Sequence, residues 1–243
     1  MNIVLSGYGQ MGRMIETVCH ERGHTISCIL NQAVDYELQK EKILKANLLI
    51  DFSQPDSAMD NIRFCLENHV PIVVGTTGWH QHLEEVKQLC DLHQGSLFYA
   101  PNFSLGMNIV FRLNKQLAKM LRNSDYHFSL KEVHHTRKLD APSGTAIHLA
   151  SDIISIHNSL KSWQIDDSND KTILPVFVER VGEVNGIHEI SARSVEDLIV
   201  IRHEAFSRRG FAVGAVLAAE YLQDKKGLHN MEDLLLEQAD HQE

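Results

Sequence analysis

The chain has 243 residues, 43% hydrophobic and 23% charged, a balance that suits a globular protein of one or two domains and excludes disordered, collagen-like and coiled-coil chains. Its net charge of -9 disfavours generic nucleic-acid binding, because a negative surface repels phosphate backbones. No run approaches the ~20 apolar residues of a membrane span, and the opening MNIVLSGYG lacks the basic region and cleavage site of a secretory signal.

The first hundred residues alternate between two periodicities. Residues 2–5 read as a strand, and Met11, Met14, Ile15, Val18 and Cys19 follow helical spacing. Strands at 25–30, 48–52, 71–74 and 97–100 are separated by helical patterns, one opening near Pro55 and one carrying Leu83, Val86, Leu89 and Cys90. Strand and helix in alternation predict a parallel, Rossmann-like doubly wound sheet with both faces covered, an α/β architecture. The pattern then changes. A long amphipathic helix is expected over 107–121, a strand over 127–134 and a helix over 143–157. The polar stretch SWQIDDSNDK (162–171) reads as a loop. Strand-like runs at 174–181, 186–194 and 198–205 follow without helices between them, which predicts an open sheet, mixed and largely antiparallel. A last helix, rich in small residues, is expected over 211–222. The reading is thus two domains: residues 1–105 with 208–243, and an inserted α+β domain over 106–207. Cys19, Cys28, Cys65 and Cys90 form no CxxC pair, so free thiols in a reduced, cytoplasmic protein are expected.

GYGQMG places Gly7, Gly9 and Gly12 in G-x-G-x-x-G spacing between a strand and a helix. The first glycine permits the turn, the second lets the backbone approach a pyrophosphate, and the third lets the helix pack close. The end of the second strand normally reads the coenzyme's ribose. Here it is Asn31 and Gln32, neither acidic nor basic. Asn31 can hydrogen-bond either ribose, so the choice between NADH and NADPH stays open. GTTG (75–78) and APNFSLG (100–106) lie at later strand ends, where ligands of such sheets sit.

EVHHTRKLDAPSGTA (132–146) carries the chemistry. His134, His135 and Lys138 are cationic donors. Pro142 suits a first helical turn, with Asp140 or Ser143 as cap. The backbone N–H groups of Gly144 and Thr145 would then bind an anion, most naturally a carboxylate, with the Ser143 and Thr145 hydroxyls as further donors. Together these groups suit a small dicarboxylate that must be protonated. Metal binding by the paired histidines is not expected, since no third ligand lies at metal-like spacing and Arg137 and Lys138 repel a cation. His80 and His82 are read as a solvated helix start.

GYGQMGR, VVGTTGW, YAPNFSLGMN, EVHHTRKLDAPSGTA, RVGEVNGIHEI and HEAFSRRGFAVGA occur in an order that resembles the 4-hydroxy-tetrahydrodipicolinate reductase (dihydrodipicolinate reductase) family along essentially the whole chain. The resemblance implies NADH- or NADPH-dependent reduction of 4-hydroxy-tetrahydrodipicolinate in lysine and diaminopimelate biosynthesis. It implies a dinucleotide-binding domain and a substrate domain that also builds a homotetramer. By resemblance His134 takes part in proton transfer and Lys138 is a proton donor. His135 contacts substrate, and Gly144 and Thr145 bind a substrate carboxylate. Coenzyme contacts are implied for Gly7, Tyr8, Gly9, Gln10 and Met11, for Gly75, Thr76 and Thr77, and for Ala100, Pro101, Asn102 and Phe103. The chain departs from many relatives in being shorter between Asn31 and Lys45 and in lacking a charged discriminator there. Two other readings stand beside this one: another two-domain dehydrogenase, acting on an amino acid or a sugar, and a non-enzymatic dinucleotide sensor.

Overall fold

The computed structural model describes residues 1–240. The chain divides into two compact units, Met1–Leu105 together with the chain from Arg209 onward, and Gly106–Arg208. The first unit is built on β1 (Asn2–Ser6), β2 (Thr25–Leu30), β3 (Leu48–Asp51), β4 (Ile72–Val74), β5 (Ser96–Tyr99) and β11 (Gly227–His229). They form one sheet in the order β11-β5-β4-β3-β1-β2, every neighbouring pair parallel. Its helices are α1 (Gln10–Glu21), α2 (Ala33–Leu38), α3 (Lys40–Leu44), α4 (Pro55–Glu67), α5 (Leu83–Leu92), α8 (Arg209–Leu222) and α9 (Met231–Asp240).

Strand side chains alternate between faces, and here both faces find a core. Ile3, Leu5, Leu48, Ile50, Val73 and Phe98 pack with Ile15 and Val18 of α1 and the alanines of α8. Val4, Leu49, Ile72, Val74, Leu97 and Tyr99 pack on the opposite side with Ile62 and Leu66 of α4 and Val86 of α5. Double coverage is why these strands read as continuous apolar runs. The small residues of α8 bring it close: a Cβ added at Gly214 would stand 1.7 Å from the Phe103 carbonyl oxygen.

The second unit holds α6 (Leu105–Met120, from Gly106 onward), β6 (His127–His134), α7 (Gly144–Ile156), β7 (Ser162–Ile165), β8 (Ile173–Arg180), β9 (Ile187–Arg193) and β10 (Leu198–Glu204). Sheet order is β10-β9-β6-β8-β7. β10, β9 and β6 pair antiparallel, whereas β6-β8 and β8-β7 pair parallel. The sheet is mixed, so the largely antiparallel expectation is corrected: β6 inserts between β8 and β9, which are consecutive in sequence but not paired. Residues 162–165, read as loop, form the edge strand β7. Only one of its sides is hydrogen-bonded, and its alternation, Trp163 and Ile165 in four residues, is too short to stand out from the polar stretch that follows. Met107, Val110 and Phe111 of α6 and Leu149, Ala150 and Ile153 of α7 cover one sheet face over Phe128, Leu130, Leu174, Val176 and Ile190. The other face exposes Phe177, Leu198 and Val200.

Candidate active site

In the first unit the glycine loop joins β1 to α1 beside β3, where the strand order reverses; ligands of doubly wound sheets bind at this crevice. Gly7 has φ +84, and a Cβ there would stand 2.2 Å from the Phe52 carbonyl oxygen. A Cβ at Gly12 would stand 2.2 Å from the Gly7 carbonyl oxygen. Both positions therefore exclude a side chain. Gly9 differs: it is the N-cap of α1, and a Cβ there meets nothing within 4 Å. The approach to the first amides of α1 is open, as a pyrophosphate requires. Tyr8 donates from its hydroxyl to Glu16 and lies under the Arg13 guanidinium, 5.4 Å from the ring centre. Gln10 is exposed and Met11 half-buried against the core of α1 and α8.

The GTT turn follows β4. The Thr76 hydroxyl donates to the buried Asp51 carboxylate at 2.8 Å and accepts from the Ser53 N–H at 2.8 Å. Burial pushes the Asp51 carboxyl above its ordinary value, against hydrogen bonds from Ser53, Thr76, Ser6 and Asn61. Thr76 is thus an internal strut, and the exposed residue of the pair is Thr77. Gly75 is pressed against the Phe52 ring, which a Cβ would meet at 2.2 Å. The Trp79 indole donates to the Thr76 carbonyl at 2.8 Å and fixes the turn from below. In the turn after β5, Ala100 and Phe103 are buried and Pro101 is exposed. Asn102 accepts from the Ser104 N–H at 2.9 Å. Phe103 packs on Phe52 and Phe98 with ring centres 5.6 and 6.0 Å away.

At the end of β2 the structure supplies a carboxylate that sequence reading missed. The N–H groups of Asn31 and Gln32 donate to Asp35 at 2.7 and 2.9 Å, and these bonds hold its carboxyl below the ordinary value. Asp35 stands at the third position of α2, where it completes a capping box.

In the second unit the apolar face of the sheet ends in a polar row. Phe128, Leu130, Glu132 and His134 alternate to one side of β6. Glu132 stands opposite His188 of β9, and His134 stands beside Arg180 of β8. Glu132 is fully buried and accepts from the Ser143 N–H at 3.1 Å on both oxygens, from the Ser143 hydroxyl, and from Arg180 Nη2 at 3.0 Å. His134 Nδ1 lies 3.6 Å and His188 Nε2 3.8 Å from the same Glu132 oxygen. Burial is the largest influence on His134 and pushes its imidazole below the ordinary value; Glu132 opposes this, and Lys138 and Arg180 reinforce it. His188 is pushed down to about 4, by burial first and then by His134.

Ser143 is the N-cap of α7, and its hydroxyl accepts from the Ala146 N–H at 3.2 Å. The helix begins at Gly144, so Pro142 precedes the cap and does not occupy the first turn. Asp140 does not cap either: its carboxylate takes Lys138 Nζ at 2.8 Å on each oxygen. Gly144 is exposed and a Cβ there meets nothing within 4 Å, so ligand can approach the helix start. Thr145 is half-buried beside it. His135 follows the end of β6 with a buried, unpartnered Nδ1. Arg137 is drawn away to an exposed pair with Glu183, at 2.5 and 2.6 Å. His80 and His82 form a 3-10 turn, with His82 Nδ1 3.1 Å from Glu85.

His134, Lys138, Ser143 and Gly144 are therefore brought to one end of one sheet. Sequence reading missed Glu132, Arg180 and His188, although a carboxylate at an inward position of an otherwise apolar strand is itself a signal, since such groups are rarely buried unless paired. It also found no third donor for a metal. Donor atoms of Glu132, His134 and His188 in fact lie within 4.8 Å of one another. The Arg180 guanidinium already occupies that carboxylate, and its charge opposes a cation there.

A glycine loop of dinucleotide-binding form on one sheet and a cluster of titratable groups on another suit the division of labour of a two-domain nicotinamide oxidoreductase. The family models described as dihydrodipicolinate reductase, N-terminus, and dihydrodipicolinate reductase, C-terminus, match residues 1–103 and 106–235. The chain belongs to the dihydrodipicolinate reductase family. It is 43% identical to 4-hydroxy-tetrahydrodipicolinate reductase of Christiangramia forsetii, over 97% of this chain and 98% of that one. It is 33% identical to the protein of the same name from Buchnera aphidicola, over 96% of each. Among solved structures, dipicolinate-bound dihydrodipicolinate reductase from Paenisporosarcina sp. TG-14 shares the fold with a TM-score of 0.79 at 20% identity, over 95% of this chain and 97% of that one. Apo scyllo-inositol dehydrogenase from Lactobacillus casei follows the fold more loosely, with a TM-score of 0.57 at 12% identity. No helix among the described residues is long and apolar enough to cross a membrane.

Proposed function

We propose that this chain reduces 4-hydroxy-tetrahydrodipicolinate to tetrahydrodipicolinate with NADH or NADPH, a step of lysine and diaminopimelate biosynthesis. The observation that carries the reading is the cluster of His134, Lys138 and the start of α7 at one end of β6. A dicarboxylate docks one carboxylate on the amides of Gly144 and Thr145 and the Ser143 cap, with His135 and Lys138 as further donors. After the 4-hydroxyl has left as water, the ring gains a hydride and a proton. Bound NADH or NADPH supplies the hydride. The cationic Lys138 stabilises the negative density that hydride brings, and His134 and Lys138 supply the proton. In the first unit Gly7, Tyr8, Gly9, Gln10 and Met11 hold the pyrophosphate at the start of α1. Gly75 to Thr77 and Ala100 to Phe103 offer mainly backbone, because the Thr76 and Phe103 side chains are turned inward.

The protein acts in the cytoplasm, a reading supported by four free cysteines, of which burial pushes the Cys19 thiol up to about 12. It assembles as a homotetramer through the uncovered face of the second sheet, where Phe177, Leu198 and Val200 are exposed. Pyridine-2,6-dicarboxylate, a planar mimic of the substrate, tests the site: it should bind in the presence of coenzyme and compete with substrate. No binding, or binding that leaves the substrate KM unchanged, would overturn the assignment of the cradle.

A further inference from the structure

Resting on the reductase reading, we infer that Glu132 is a positioning residue that couples the proton-transfer histidine to the substrate cradle. One fully buried carboxylate serves two parts of the site. Through the N–H and hydroxyl of Ser143 it anchors the N-cap of α7, the helix end assigned to the substrate carboxylate. Through its Oε2 it faces His134 Nδ1 at 3.6 Å. That nitrogen is buried and has no hydrogen-bond partner. A carboxylate only accepts hydrogen bonds, so it favours the tautomer with the proton on Nδ1 and leaves Nε2 to exchange protons. At 3.6 Å the contact is electrostatic; catalytic contacts of this length in a free enzyme commonly tighten in its complexes.

The surroundings show why such a group is required. His134 meets Arg180 from β8, His188 from β9 and, in the following loop, Lys138 and Asp140. His203 of β10 adds its influence on His188. Among these, burial and the cations Lys138 and Arg180 act against protonation of His134, whereas Glu132 and Asp140 favour it. Glu132 is the stronger influence of the two carboxylates and the buried one. Arg180 fixes its orientation from the other oxygen and also donates to the Asp140 carbonyl at 2.5 Å. Binding of substrate at the start of α7 is thereby felt at His134 through a single side chain.

The test is the pH profile of kcat and kcat/KM for Glu132→Gln and Glu132→Asp against the unaltered enzyme. Glu132→Gln should lose roughly 10- to 100-fold in kcat, as expected for a partner that orients a working histidine. The limb of the profile that depends on His134 should move to lower pH, while the KM for coenzyme stays unchanged. Glu132→Asp should restore part of both. A folded Glu132→Gln enzyme with the unaltered kcat and limb would overturn the inference. Nitrogen-15 NMR of the histidine rings, with His134 assigned by its loss in His134→Gln, decides the matter on the unaltered protein if the variant fails to fold. Nδ1–H is expected near neutral pH, and Nε2–H would overturn the inference. An inactive unaltered enzyme would instead defeat the reductase reading, leaving the tautomer measurement to stand by itself.

Discussion

The Lys138 ammonium donates to both carboxylate oxygens of Asp140, each at 2.8 Å, two residues along the same loop. Asp140 is more than half exposed and Lys138 mostly covered. The hydrogen bond from Lys138 is the main reason the Asp140 carboxyl lies below its ordinary value. Lys138 thus has, before substrate arrives, an anionic partner that an incoming carboxylate can rival. Lys138→Ala should lower kcat by roughly 10²- to 10⁴-fold, the range of a lost proton donor. Coenzyme affinity, measured by fluorescence titration, should stay nearly the same. Turnover at the unaltered rate would defeat the assignment.

The His134 imidazole has its proton affinity lowered, chiefly by burial. A bound dicarboxylate brings negative charge and raises that affinity. The profile of kcat/KM reports the free enzyme and that of kcat the complex. The His134 limb should therefore lie at higher pH in kcat than in kcat/KM. His134→Gln should reduce turnover roughly 10²-fold and remove the limb from both. A limb that survives the substitution belongs to another group.

Gly12 tests the coenzyme loop. A Cβ at this position would meet the Gly7 carbonyl oxygen at 2.2 Å, so Gly12→Val must push the loop away from the start of α1. Binding of NADH and NADPH, followed by calorimetry, should be abolished, with circular dichroism as the control that the variant is folded. Retained coenzyme binding would mean that the pyrophosphate lies elsewhere.

His188 makes stability depend on pH. In the unfolded chain it protonates near 6.5, whereas in the folded chain it does so only at about 4. As pH falls from 6.5 the unfolded state gains a proton that the folded state refuses, so stability drops across that window, by up to about 3 kcal/mol. The lowered His134 acts in the same direction. Urea unfolding from pH 7 to pH 4 should show this loss, and His188→Gln should flatten it. An equal slope in the variant would place the titration elsewhere.

Much of this was legible in the chain because the signals are local. The parallel sheet showed in apolar strands alternating with helical spacing, and β6 in the inward alternation of Phe128 and Leu130. The motif from Glu132 to Ala146 named His134, Lys138 and Ser143 because they are neighbours in sequence. Arg180 and His188 are not: strand register alone brings them to Glu132, 48 and 56 residues away in the numbering. Pairing of β6 between β8 and β9 is likewise a tertiary choice that no window of sequence contains. Short elements escaped as well. β7 and β11 are exposed or only three residues long, and Asp35 reaches back to the end of β2 only because α2 turns there.

The most direct test is coenzyme oxidation, followed by the near-ultraviolet absorbance of the reduced nicotinamide, with NADH and NADPH in separate reactions. The unstable substrate is made in situ from pyruvate and aspartate semialdehyde by its synthase. The account predicts oxidation that depends on the synthase, with the ratio of the two rates reporting how Asn31, Gln32 and Asp35 read the ribose. Coenzyme that binds but is oxidised in neither reaction would contradict it.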